Sequence, residues 1–355
     1  MAEKIKMPLI GGLVAVISIA LVLLGNPPNM GFCIACFLRD IAGAVGLHHA
    51  APVQYVRPEI IGIIFGAFIF SLANKEFASK GGSAPVTRFV LGFALMIGAL
   101  IFLGCPLRMA LRIAGGDLNA VVGLFGFAAG ILGGVFFLNK GYTLKRTYGV
   151  SKTDGFVLPA GAFILLWLLL LVPSVLFFST EGPGSMHAPI LAALIAGLIM
   201  GVIGVITRLC FVAGIRDSIL FKNFSMMSAF IALIAVGIIG NLMLGGFHLG
   251  FENQPVAHTD GLWNFLGMML VGLCAVLLGG CPFRQLILAG SGSSDSVVTV
   301  FGMIAGAAFA HNFKMASSAA GVTTNGKIGF AIAFIIVVLI AVYNTFIKRK
   351  AGESI

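Results

Sequence analysis

Hydrophobic positions along this chain run together rather than alternating. Ten long apolar segments are broken by short polar stretches, near Met7–Gly25, Pro58–Ala73, Phe89–Gly104, Leu118–Leu138, Phe156–Phe178, Ala188–Thr207, Phe224–Gly245, Gly261–Gly280, Ser296–Asn312 and Ile328–Ile347. Crossing a bilayer as a helix takes about 20 apolar residues, so each is expected to span a membrane. Four shorter segments lie between them: Met30–Leu47, Cys105–Gly115, Cys210–Lys222 and Cys281–Gly290. They are too polar for ordinary spans and too apolar for ordinary loops, and each holds cysteine. The pattern predicts half-helices dipping into the membrane, which is tolerated only where protein or a water-filled cavity surrounds them.

Composition agrees. Of 355 residues, 59% are hydrophobic and 10% charged, against about 25% charged in a soluble protein. The net charge of +10 does not point to nucleic acid, because the basic residues sit in short loops between apolar runs, as in cytoplasmic loops of membrane proteins. With the N-terminus in the cytoplasm and ten crossings, 16 of the 22 Lys and Arg fall on the cytoplasmic side and 6 outside. Five arginines lie within the short segments, Arg39, Arg108, Arg112, Arg216 and Arg284; without them the split is 14 to 3. The first apolar run is followed by Asn26-Pro27-Pro28-Asn29 rather than by small residues, and is read as a retained span.

The halves resemble each other. Cys33 with Arg39-Asp40 matches Cys210 with Arg216-Asp217, and 210 − 33 = 177. Gly104-Cys105-Pro106-Leu107-Arg108 matches Gly280-Cys281-Pro282-Phe283-Arg284, and 281 − 105 = 176. Downstream, Phe125-Gly126 and Ala129-Gly130 recur as Phe301-Gly302 and Ala305-Gly306 at the same offset. Three matches in order predict a duplication, with residues 1–180 and 181–355 as its halves and one membrane domain formed by both. Five spans in each half is an odd number, so the second half is expected upside down relative to the first. Such an inverted repeat places its site where broken helices from both faces meet. The expected fold is therefore an all-α integral membrane protein of about ten spans and four half-helices.

The short segments carry the candidate chemistry. Proline favours the first position of a helix, which puts Cys105 and Cys281 at helix starts. Unpaired N–H groups and the positive dipole end there suit an anion, and Arg108 and Arg284, three residues on, share a face with the cysteines. Sulfur, amides and guanidinium around one point form a receptor for a small anion with a soft atom. Cys33 and Cys210 share faces with Asp40 and Asp217; Arg39 with Asp40, and Arg216 with Asp217, are expected as supporting ion pairs. Cys33-x-x-Cys36 could suggest redox chemistry or zinc, but Ala213 stands at the place of Cys36 in the second half. Cys36 is therefore read as outside the repeated machinery, and Cys274 as core. No metal, cofactor or catalytic residue is expected, and no nucleotide-binding motif is present. The six histidines fall near the expected outer side, where they are read as interfacial packing.

On the repeated Gly-Cys-Pro-x-Arg and the ten basic spans, the chain resembles the YeeE/YedE family of sulfur-compound transporters. The stretch Asn26–Asp40 is similar to the YedE branch associated with selenium. The resemblance implies an hourglass-shaped, multi-pass protein of the bacterial plasma membrane, both termini cytoplasmic. It implies uptake of a small sulfur- or selenium-containing anion, thiosulfate-like, handed between cysteine thiols. Cys105 and Cys281 would line the waist, Cys33 the outer mouth and Cys210 the inner. It implies no enzymatic activity and, as partner, a small cytoplasmic sulfur-carrier protein. A membrane thiol–disulfide oxidoreductase cycling Cys33 and Cys36, and an anion channel using the arginines alone, are the alternative readings.

Overall fold

The computed structural model describes residues 2–347. The expected cytoplasmic C-terminus, at 348–355, lies outside the described residues. The first half reads α1 (Ala2–Leu23), α2 (Ile34–Ala44), α3 (Pro58–Ala73), α4 (Pro85–Phe102), α5 (Pro106–Ala114), α6 (Leu118–Asn139) and α7 (Lys152–Leu171). The second reads α8 (Ile190–Thr207), α9 (Phe211–Leu220), α10 (Ser225–Met243), α11 (Gly261–Leu278), α12 (Pro282–Gly290), α13 (Ser294–Asn312) and α14 (Thr324–Val342). Both runs have the order long, short, long, long, short, long, long. Ten stretches are long and apolar enough to cross a membrane, and the molecule is an all-α, multi-pass membrane protein. Two short strands, β1 (Lys80–Gly81) and β2 (Tyr148–Gly149), pair antiparallel with Lys80 opposite Gly149.

Helix ends follow local chemistry. Pro58, Pro85, Pro106 and Pro282 open α3, α4, α5 and α12, where a missing N–H costs nothing. The fifth span, expected to reach Phe178, ends at Leu171 instead. Pro173 is the cause, since a proline disfavours helical backbone in the residue before it. Before each Gly-Cys-Pro, α4 and α11 stop on a left-handed residue, Leu103 (φ 62°) and Gly279 (φ 83°). Glycine adopts that backbone freely, whereas leucine pays about 1–2 kcal/mol.

Packing exchanges elements between the halves. α6 lies on α11 and α4 on α13, while α1 lies on α10 and α3 on α8. The repeated glycines mark the crossings. A Cβ on Gly126 would fall 2.0 Å from the Phe265 carbonyl oxygen, and one on Gly302 would fall 2.2 Å from that of Phe89. Both pairs are related by 176 residues, since 302 − 126 and 265 − 89 give the same figure. Backbone-to-backbone approach of this kind is how membrane helices gain contact when lipid offers no hydrophobic drive. α4 and α11 also pack on each other, at the centre. Of the last helices, α7 packs on α3 of its own half, whereas α14 packs on α4 of the other.

Candidate functional site

Cys33, Cys105, Cys210 and Cys281 are each the residue that caps the N-terminus of a short helix, α2, α5, α9 and α12 respectively. Extended backbone at each cap turns the chain from its entry segment into the helix. All four are buried, and all six cysteines are free thiols.

Tertiary packing pairs them. The thiol of Cys33 neighbours that of Cys105, and the thiol of Cys210 neighbours that of Cys281. Backbone amides join in: Cys36 N–H donates to Cys33 Sγ at 3.3 Å, and Cys281 N–H to Cys210 Sγ at 3.4 Å. The two pairs are also knit together, because α2 contacts α12 and α5 contacts α9. Cys33 and Cys210, expected at the two mouths, are buried beside the cysteines of the Cys-Pro motifs.

Cys36, which has no counterpart in the second half, belongs to the first pair's surroundings. Its thiol lies beside that of Cys33, and Arg108 Nη1 approaches its sulfur at 3.8 Å. The first half thus gathers three thiols where the second gathers two. Ala213, in the matching place, leaves that position without sulfur. Cys274 stands apart in the core of α11. Among the described residues, no group of three or more His, Cys, Asp or Glu is arranged to hold a metal ion.

The two motif arginines differ. Arg108 is fully buried and committed to backbone: Nη1 donates to the Leu103 carbonyl, and Nη2 to those of Pro255 and Val256 at 3.3 and 3.2 Å. Arg284 is only partly buried, donates to Gly204 O at 3.3 Å, and lines an opening of about 450 Å³ with Arg208, Lys80 and Glu76. The corresponding opening of the first half, about 180 Å³, is lined by Ser18, Asn29, Leu111 and Asn241 with no charged side chain.

The expected ion pairs are present, with an addition. Arg39 meets Asp40 at 2.7 Å, and Arg216 meets Asp217 at 2.7 Å. Asp40 also takes Arg57 at 2.7 Å, all three side chains being almost wholly buried. Arg57 comes from the start of α3, seventeen residues on, and no local spacing signals it. Arg112 pairs with Asp117 at 2.6 Å, both fully buried. Asp117 also caps α6 by accepting the Asn119 N–H at 2.9 Å, and an aspartate just before an apolar run is a readable signal for that.

Parts of the chain are similar to known proteins. The Sulphur transport family model matches residues 206–352, the stretch containing Cys210, Cys281 and Arg284. The thiosulfate transporter TsuA of Escherichia coli (strain K12) is 30% identical over 116 residues, covering 33% of this chain and 32% of that protein. The aligned stretch therefore spans about a third of that relative's length. The family's match thus falls on the second half of the chain, and the same cysteine motifs recur in the first.

Proposed function

We propose that this protein transports a small anion with an exposed sulfur, of the thiosulfate class, through a cysteine-lined waist. The pairing of four helix-capping cysteines, Cys33 with Cys105 and Cys210 with Cys281, carries the reading. A helix N-terminus stabilises a nearby anion by about 0.3–1 kcal/mol, rising to about 2 kcal/mol when partly buried. Four of them offset part of the cost of bringing an anion out of water. A neutral S–H is a weak donor to the anion's soft terminal atom, and weak donors in series hold a substrate without trapping it. The relay is a succession of hydrogen bonds, with no covalent or redox step, so the protein works as a transporter rather than an enzyme.

The halves act as an inverted repeat, residues 1–180 and 181–355, each supplying one thiol pair to an hourglass waist. Loop charges favour an N-terminus in the cytoplasm, in the plasma membrane of a bacterium. The opening with Arg208, Arg284 and Lys80 then faces the cytoplasm, where its positive charge attracts the anion leaving the waist. A small sulfur-carrier protein is a fitting acceptor there. A selenium analogue presents the same charge with a softer, larger atom, and the three thiols of the first half suit it as well.

Uptake of labelled thiosulfate into cells whose only such transporter is this protein tests the reading. Cys33→Ala, Cys105→Ala, Cys210→Ala and Cys281→Ala should each lower uptake about tenfold or more, equivalent to at least about 1.4 kcal/mol. Cys274→Ala, remote from both pairs, should leave it near wild type. Undiminished uptake in both Cys105→Ala and Cys281→Ala would sink the relay. Serine at every motif cysteine with selectivity intact would favour a channel using the arginines alone. Thiols of Cys33 and Cys36 that cycle to a disulfide in cells would favour an oxidoreductase. Competition by selenium compounds in the same assay measures the substrate range.

A further inference from the structure

The first half holds a buried carboxyl that neither the relay nor the ion pairs use. Glu59, the second residue of α3, is fully buried. Its Oε1 accepts the Asn26 Nδ2–H at 2.7 Å, and its Oε2 has no hydrogen-bond partner.

No counter-ion answers the carboxyl. Arg57, two residues earlier, is spent elsewhere: Nε and Nη2 lie on Asp40 at 2.8 and 2.7 Å, and Nη1 donates to Met186 O at 2.9 Å. The other titratable neighbours are Asp40 itself and Tyr55. The Tyr55 hydroxyl is buried and also without a partner, and the His187 ring stacks on Tyr55 at 4.1 Å. α8, packed along α3, has no titratable residue, and neither has the end of α1 at Ser18–Leu23. An isolated buried carboxylate is costly, and in practice such a group takes up a proton. A metal cation asks for several oxygen ligands, whereas here one carboxylate oxygen is free and the other faces an amide N–H.

Asn26 ties this carboxyl to the cysteine site. The same Nδ2 donates to Gly31 O at 3.1 Å, and Asn26 Oδ1 accepts the Ala188 N–H at 2.8 Å. Gly31 lies two residues before Cys33. A bond to an ionised carboxylate is roughly twice as strong as one to a neutral acid. Adding a proton to Glu59 therefore loosens the grip on Asn26 and, through it, on the segment entering Cys33.

We propose that Glu59 is a proton-binding site of the transport cycle, its carboxylate taking up and releasing one proton as the Cys33 segment changes its hold on the anion. This rests on the transport reading above. The step is protonation alone: a proton joins Oε2, and nothing is oxidised or reduced.

Two measurements on the purified full chain in lipid test it. Infrared difference spectra across a pH series should show a protonated-carboxyl C=O band that titrates in wild type, is missing in Glu59→Gln, and shifts in Asn26→Ala. The Asn26 variant keeps the test open should Glu59→Gln fold poorly. In vesicles containing a trapped pH dye, a thiosulfate gradient should drive proton entry with wild type. Glu59→Gln should still exchange thiosulfate but move no protons. A band that never titrates, one that follows sodium instead of pH, or equal proton entry in Glu59→Gln would each overturn the proposal. If wild-type vesicles move no thiosulfate, the transport reading fails, and the infrared series alone still decides the carboxyl.

Discussion

Asp40 and Asp217 hold equivalent places in the two halves but unequal surroundings, and replacing each by asparagine separates the two. Asp40 receives Arg39 and Arg57 at 2.7 Å each, with side chains at most 3% exposed. Asp40→Asn leaves two guanidinium groups in the interior facing a neutral amide. Removing one partner of a buried pair costs about 3–5 kcal/mol, because the remaining charge keeps its desolvation penalty. Asp217 receives only Arg216, at 2.7 Å, with both side chains 22% exposed. That pair is worth about 0–1 kcal/mol, since water takes over the arginine once the carboxylate is gone. The difference of at least about 2 kcal/mol corresponds to roughly a thirtyfold change in the folding equilibrium. Unfolding curves of wild type and both variants in mixed micelles measure it. Asp40→Asn should unfold at clearly lower denaturant, while Asp217→Asn should stay near wild type. Equal losses in the two variants would refute the reasoning.

Three further outcomes are expected. Gly302→Ala sets a methyl 2.2 Å from the Phe89 carbonyl oxygen, whereas a Cβ on Gly161 meets nothing within 4 Å. The first should cost about 1–3 kcal/mol or more and the second should gain about 0.5–1 kcal/mol, read as folded yield and thermal midpoint in detergent. Arg284→Gln should raise the KM for uptake with folding intact, because Arg284 faces an opening, whereas Arg108→Gln should lower the amount of folded protein, because Arg108 holds three carbonyls. Burial holds the loop histidines His48 and His258 below their ordinary pKa. Each is fixed neutral, with Nε2 donating to Arg39 O or Ile101 O and Nδ1 accepting an N–H two residues on. The unfolded chain therefore binds more protons than the folded one as pH falls below about 6.5. Stability should be full above that value and decline under it, with a shallower decline in the double glutamine variant.

The ten spans, the four short helices and the starts of α5 and α12 were legible in the sequence. Each depends on local facts: the length of an apolar run, a proline at the first helical position, an offset of 176 between matching motifs. These features need no partner from elsewhere in the chain, so they can be read along it. The paired glycines were visible as a repeat, but their role at the helix crossings was not, because it depends on which helix arrives opposite.

Tertiary structure decided who meets whom. Cys36 has no counterpart in the repeat, yet packing brings Arg108 of α5 within 3.8 Å of its sulfur. Arg57 reaches Asp40, and Asn26 reaches Glu59, across separations of 17 and 33 residues. Arg108 and Arg284, identical in motif, became a fixed strut and an opening-lined cation, because the segments around them differ. The sequence by itself determined that four cysteine-bearing short segments occur in related pairs, with Cys105 and Cys281 at helix starts. Only the packing of the halves determined that Cys33 lies with Cys105 and Cys210 with Cys281, since side-chain encounters are set by long-range contacts that no local spacing encodes.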